Sequence, residues 1–166
     1  LSLLAAATSA AAAGAAVTMP PKLPSLREQD AIRQEWLKLR LERFLPTLMR
    51  RHGVSMWLVI NREYNEDPVF ASMSPLTYYA SRRRTILVFY NPGGGKPVER
   101  YSVGRFDYDG IYTLVPTHND GQWAGLRALI DERQPKVVAI NTSRTFAHAD
   151  GLSHTGMPLP NPGSKN

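Results

Sequence analysis

The chain has no cysteine among its 166 residues. That absence removes disulfides, thiolate zinc sites, cysteine-ligated iron–sulfur clusters and a cysteine nucleophile together. It leaves the redox compartment open, because a disulfide-free domain folds in any of them. Histidine is scarce as well, with four in the whole chain, and no charged residue precedes Lys22. No internal repeat is present, and no Gly-x-Ser-x-Gly elbow frames Ser143, Ser153 or His154, so a serine hydrolase triad has no scaffold.

What is present fits one ordinary domain. The apolar share of 43% and charged share of 20% are those of a packed protein, which argues against disorder throughout. The length suits a single core. The segment Leu1–Val17 is Leu- and Ala-rich and gives way to small residues, the pattern of a secretory signal and its cleavage site. Residues 1–21 are therefore expected to be a signal remnant and linker, implying export to the periplasm or beyond; without a signal the chain would be cytoplasmic. The run is short for a bilayer, so no membrane span is expected.

The globular part is expected over residues 22–154. Ser25 and Glu28 have capping-box spacing, so a helix starts there and runs toward Arg51. Pro46 withholds the partner of the Glu42 carbonyl and predicts a kink or break. At about 100° per residue, Leu26, Leu37, Leu41, Phe44, Leu45 and Leu48 share a core stripe. Ile32, Trp36 and Leu39 fall on the far side and form a candidate contact surface for another domain or subunit. Gly53 stops the helix. Val54–Ile60, Thr85–Tyr90 and Lys136–Asn141 are apolar on both alternating faces, as in strands covered by helices on both sides. Asn91–Pro97 is a hairpin connection to a more polar strand, Val98–Val103, and Ile111–Val115 is a further short strand. Gly121–Arg133 is a second amphipathic helix through Trp123, Leu126, Leu129 and Ile130, ended by Pro135. This order gives an α/β fold, a mixed β-sheet flanked by helices. Residues 155–166, with Pro158, Pro160 and Pro162, are a proline-rich tail.

Few residues carry chemistry. Gly93-Gly94-Gly95-Lys96 imitates a phosphate loop, but Pro97 and a strand follow where a helix and a Ser or Thr are needed. His52, His118, His148 and His154 do not converge in sequence with enough acids for a metal site; only His148, Asp150 and His154 are neighbours. Asp107 and Asp109 mark a turn. No catalytic residue and no metal ligand is assigned. Tyr78, Tyr79, Arg82, Arg83 and Arg84 are candidate ligand or partner contacts, since arginines and aromatics together hold anionic or aromatic groups. Eight Lys and Arg between Lys22 and His52 add basic charge, against four acids, within a net +6. Spacings such as Asp30/Arg33 and Glu35/Lys38 place much of it on a solvated helix face.

In this order the elements resemble the N-terminal domain of the creatinase/prolidase/Xaa-Pro aminopeptidase family. The resemblance rests on the arginine-rich helix ending Leu48-Met49-Arg50-Arg51-His52-Gly53-Val54, the strand Met56–Ile60, and Leu76-Thr77-Tyr78-Tyr79-Ala80 in place of a Tyr-Leu-Thr-Gly-type stretch, without its Gly. Thr85–Tyr90 with the glycine hairpin, the Trp123 helix and Pro135–Ile140 complete it, and Gly151-Leu152-Ser153-His154 resembles the linker to the catalytic half. It implies a ribonuclease H-like topology. It also implies that turnover resides in a following pita-bread domain holding two divalent ions, Mn, Co or Zn, so that this chain carries no cofactor of its own. The expected role is subunit association, with a second copy or the catalytic domain as partner, and control of access to the active site. Peptide substrate is expected only with a full-length parent. The proline-rich tail departs from the family, where a helix would begin. The rival expectation is a basic module binding nucleic acid or other anions through Arg82–Arg84 and the first helix, with binding that falls steeply in salt; under the family resemblance nucleic acid is not a partner.

Overall fold

A computed structural model describes residues 23–64, 66–78, 80–115, 117 and 121–141. The expected signal segment, the end of the globular part after Asn141 with the Gly151–His154 linker, and the proline-rich tail lie outside them.

Ser25 opens the first helix, α1 (Leu26–Leu39), with both halves of the capping box in place: its side chain accepts from the Glu28 N–H, and the Glu28 carboxylate accepts from the Ser25 N–H at 2.7 Å. The Ser25 bonds hold the Glu28 carboxyl below its usual range. Pro46 does not break the helix. Arg40–Phe44 widens into a π-helical turn, in which the Leu45 N–H reaches the Arg40 carbonyl, and α2 (Leu45–Arg51) continues with Pro46 in its first turn. A π turn takes up one extra residue, so the missing N–H costs no sharp kink.

The turn also resets the helical phase. The buried residues are Leu37, Leu41, Leu45 and Met49, each four apart, a spacing that drifts off one face of a continuous α-helix and stays on it across a π turn. The expected stripe is corrected accordingly. Leu26 (83% exposed) and Phe44 (57% exposed) face solvent, and Met49 takes a core place. Gly53, at φ +64°, ends α2, with the Val54 N–H donating to the Met49 carbonyl at 2.9 Å.

The sheet is mixed and five-stranded, in the order β4-β3-β2-β1-β5. Strands β1 (Met56–Arg62), β2 (Arg84–Tyr90) and β3 (Glu99–Val103) form an antiparallel meander. The short β4 (Thr113–Leu114) lies parallel to β3, and β5 (Val138–Ile140) parallel to β1. The β2–β3 loop carries Gly93, Gly94 and Gly95 at positive φ, and a strand follows it, as the hairpin reading requires.

Alternation along β1 and β2 divides two cores. Val59, Leu87 and Phe89 pack with Leu37, Leu41, Leu45 and Met49 of the N-terminal helices and with Phe70, Tyr108 and Tyr112. Met56, Leu58, Ile60, Ile86 and Val88 pack with Leu126 and Leu129 of α4 (Gln122–Arg133). Each fully buried aliphatic contributes about 1.5–3 kcal/mol, so these two strands anchor the fold.

Three local expectations change. β5 is not covered on both faces: Val138 and Ile140 are 42% and 36% exposed, because it is the outer strand among the described residues. Trp123 is 46% exposed and leaves the α4 core face to Leu126 and Leu129, with Ile130 half-buried. A six-residue helix, α3 (Pro68–Met73), occupies what the sequence presents as loop; Asp67 caps it and Pro68 sits in its first turn.

Candidate functional site

Two surfaces stand out from this frame. The first is the outer side of α1. Ile32, Trp36 and Leu39, at helical spacing, are 42%, 58% and 38% exposed, while Leu37 on the opposite side is buried. Trp36 overlooks a groove of about 370 Å³ between α1 and α3, bordered by Arg33, Arg40, Pro68, Pro75 and Leu76. An indole at 58% exposure beside prolines and guanidinium groups has the composition of a protein contact.

The second is a concavity of about 340 Å³ where β1 and β3 end and β2 begins. Glu63, Arg82, Arg83, Arg84, Gly104, Arg105, Thr117 and Gln122 line it. The backbone explains how three consecutive arginines reach one hollow. In extended chain Arg82, Arg83 and Arg84 would alternate between faces. Arg83 instead adopts φ +57°, an uncommon left-handed conformation for a residue with a side chain. Glu63 holds it there from both sides: the Glu63 N–H donates to the Arg83 carbonyl at 2.8 Å, and the Arg83 N–H donates to Glu63 Oε2 at 3.1 Å.

Strand pairing supplies the rest. Arg62 stands directly opposite Arg84 on β1 and β2. Ile86 pairs Val103 on β2 and β3, which brings Arg105 alongside Arg84 just past the end of the ladder. Gln122, the first residue of α4, closes the floor: its Nε2 donates to the Arg84 carbonyl at 3.0 Å and the Val103 carbonyl at 2.9 Å. Arg84 lies over the Trp123 ring, 4.8 Å from its centroid, which accounts for that indole's position outside the α4 core.

Among the described residues the lining thus sets four guanidinium groups against one carboxylate. None of Arg62, Arg82, Arg83, Arg84 and Arg105 is ion-paired with a described residue. Arg133 shows the contrast. It donates to the Tyr101 hydroxyl at 2.5 Å, which chiefly raises its pKa, and to Glu99 at 2.9 Å, and so forms a strut between α4 and β3. Burial, with the Glu99 hydrogen bond second, raises the Tyr101 hydroxyl.

Of the residues singled out in the sequence, Arg82, Arg83 and Arg84 meet in the concavity, and Tyr78 does not line it. Tyr78 packs on Tyr108 (4.9 Å between ring centroids) and Phe106 (5.6 Å), and its hydroxyl donates to Asp109 Oδ1 at 3.0 Å, which raises its pKa. Asp107 and Asp109 flank Tyr108 in a turn, where Tyr108 and Asp109 have positive φ. Tyr79, His118, His148, Asp150 and His154 lie outside the described residues. Among the described residues, no three His, Asp or Glu side chains come together as a metal cluster, and no helix is long and apolar enough to cross a membrane. Arg105, Glu63 and Gln122 were not legible as site residues. Their signal is the hairpin register, which places Arg105 beside Arg84 once β2 and β3 are aligned. No protein-family model, curated protein or solved structure matches the chain.

Proposed function

We propose that the chain serves as a non-catalytic N-terminal domain of a metallopeptidase of the creatinase/prolidase/Xaa-Pro aminopeptidase kind, where it joins subunits and narrows access to an active site. The order of elements carries the reading. A basic N-terminal helix leads into an antiparallel β1–β2–β3 meander, and helix α4 then crosses to β5 beside and parallel to β1. That connectivity supports the ribonuclease H-like topology the family resemblance implies.

The α1 face supplies the means of association. Covering the exposed parts of Ile32, Trp36 and Leu39 with the same face of a second copy removes apolar surface from water at about 25 cal/mol per Å². A central tryptophan is the kind of residue that concentrates such energy. Turnover, its two divalent ions (Mn, Co or Zn) and recognition of a peptide belong, in this reading, to a catalytic domain working beside this one.

The direct test is catalytic. Purified chain supplied with manganese or cobalt should leave an Xaa-Pro peptide intact. Cleavage that follows this polypeptide through purification would overturn the reading.

A further inference from the structure

We propose that the arginine concavity binds the phosphate groups of a small di- or polyphosphate, free or esterified. The proposal is independent of the domain role above, since it uses a different surface and needs neither a second copy nor a catalytic partner.

Charge is the first argument. Among the described residues, Arg82, Arg83, Arg84 and Arg105 against Glu63 leave an excess of three positive charges around one hollow. Arg62, directly opposite Arg84 across the β1–β2 ladder, adds a fourth at its edge. Like charges facing each other across a ladder are unfavourable, so the bare site carries a repulsion that an anion relieves. A lone carboxylate would leave most of the excess uncompensated, whereas two or more phosphates match it. Guanidinium forks also suit phosphate oxygens, which accept several charge-assisted bonds at once.

Backbone geometry is the second. The left-handed Arg83, clamped by Glu63, is the device that turns a run of three arginines inward, and such strained conformations persist where the surroundings enforce them. The Glu63 carboxylate is engaged with the Arg83 N–H, so the one acid among the described residues of the wall has a structural task. Gly104 lies on the floor, where a Cβ would meet Gln122 Nε2 and Ser102 Oγ at an ordinary 3.8 Å. Ser102 Oγ, fully buried beneath that floor, has no hydrogen-bond partner among the described residues. Helix α4 begins beside the hollow at Gly121, with no side-chain cap and no acid in its first turn, and its N-terminal dipole adds to the positive field.

Size and shape favour a small ligand over a polynucleotide. The hollow, about 340 Å³, lies in the range of small-molecule sites. A single strand needs a groove with aromatic platforms along it; the described aromatics beside the hollow are Trp123, with a face already covered by Arg84, and the exposed Tyr64, too few for a run of stacked bases.

Calorimetric titration of the full chain at low salt, with inorganic pyrophosphate, ADP and a mixed-sequence single-stranded oligonucleotide in turn, tests this. Pyrophosphate or ADP should saturate one site per chain. Arg82→Gln and Arg105→Gln, both at exposed side chains, should each weaken binding by about tenfold or more, with an unchanged circular dichroism spectrum. Arg127→Gln, on the exposed side of α4, should leave affinity as it was. Tighter ADP than pyrophosphate assigns the site to a phosphate ester, and the reverse assigns it to free polyphosphate; both uphold the proposal. Failure of both to bind, binding indifferent to Arg82→Gln and Arg105→Gln, or binding of the oligonucleotide alone would overturn it.

Discussion

Asn141 Nδ2 donates to Asp67 Oδ2 at 2.8 Å, joining the end of β5 to the cap of α3 across 74 residues of sequence. The same Asp67 accepts from the Val69 N–H at 2.7 Å, and its own N–H donates to the buried Asn61 Oδ1 at 2.6 Å. Asn141 Oδ1 in turn accepts from Trp57 Nε1 at 2.8 Å. Asp67 and Asn141 together thereby join a helix start, a strand end and the β1 face. Asp67→Ala should cost about 2–3 kcal/mol in urea denaturation, the sum of a lost cap and unpaired part-buried donors. A loss of under about 0.5 kcal/mol, typical of an unimportant surface change, would refute the network's role.

The π turn makes a contrast between neighbours. Leu45 is fully buried and Phe44 is 57% exposed, although a regular helix would put both near the core. Leu45→Ala is expected to cost about 3 kcal/mol by the usual cavity penalty, and Phe44→Ala less than about 1 kcal/mol. Equal losses in chemical denaturation would mean the phase of this helix is not as described.

Burial pushes the Tyr108 hydroxyl up to about 12 from an ordinary 10.0, against a smaller opposing effect of Thr85. Burial also raises Tyr112, whose hydroxyl donates to the Met73 carbonyl. The sign follows from proton binding. Between these two values the unfolded chain loses the Tyr108 proton and the folded one keeps it, so stability is complete below pH 10 and falls as pH climbs through 12. The Tyr108 share is about 3 kcal/mol. Urea midpoints measured from pH 9 to 12 should drop less steeply in Tyr108→Phe; parallel curves would contradict this.

Arg83 gives a prediction of opposite sign. Arg83→Gly removes the cost of a left-handed side-chain-bearing residue and should raise stability by about 0.5–1 kcal/mol, since the N–H and carbonyl that meet Glu63 remain. Arg83→Val should lower it. A destabilised glycine variant would show that the side chain, rather than the backbone, holds this turn.

The parts of the fold that were legible in the sequence are those whose burial is symmetrical. β1 and β2 announce themselves because apolar residues occupy both alternating faces, and each face meets its own helix layer. The capping box and Gly53 are local signals and needed no tertiary context. What escaped depended on contacts distant in sequence. Trp123 left the α4 core face for the Arg84 guanidinium, β5 kept an open side as an outer strand, and α3 is too short for periodicity to register. The arginine run was visible, but its meeting with Arg105 is a product of strand register, and its inward turn a product of one positive φ.

Association through α1 is the claim on which the proposed role depends, and sedimentation velocity of the full chain beside Trp36→Ala measures it most directly. A concentration-dependent dimer is expected for the parent chain, with a dissociation constant raised about tenfold or more by the substitution, in line with loss of a central aromatic contact. A parent chain that stays at monomer mass, or a dimer that Trp36→Ala leaves intact, would contradict the account.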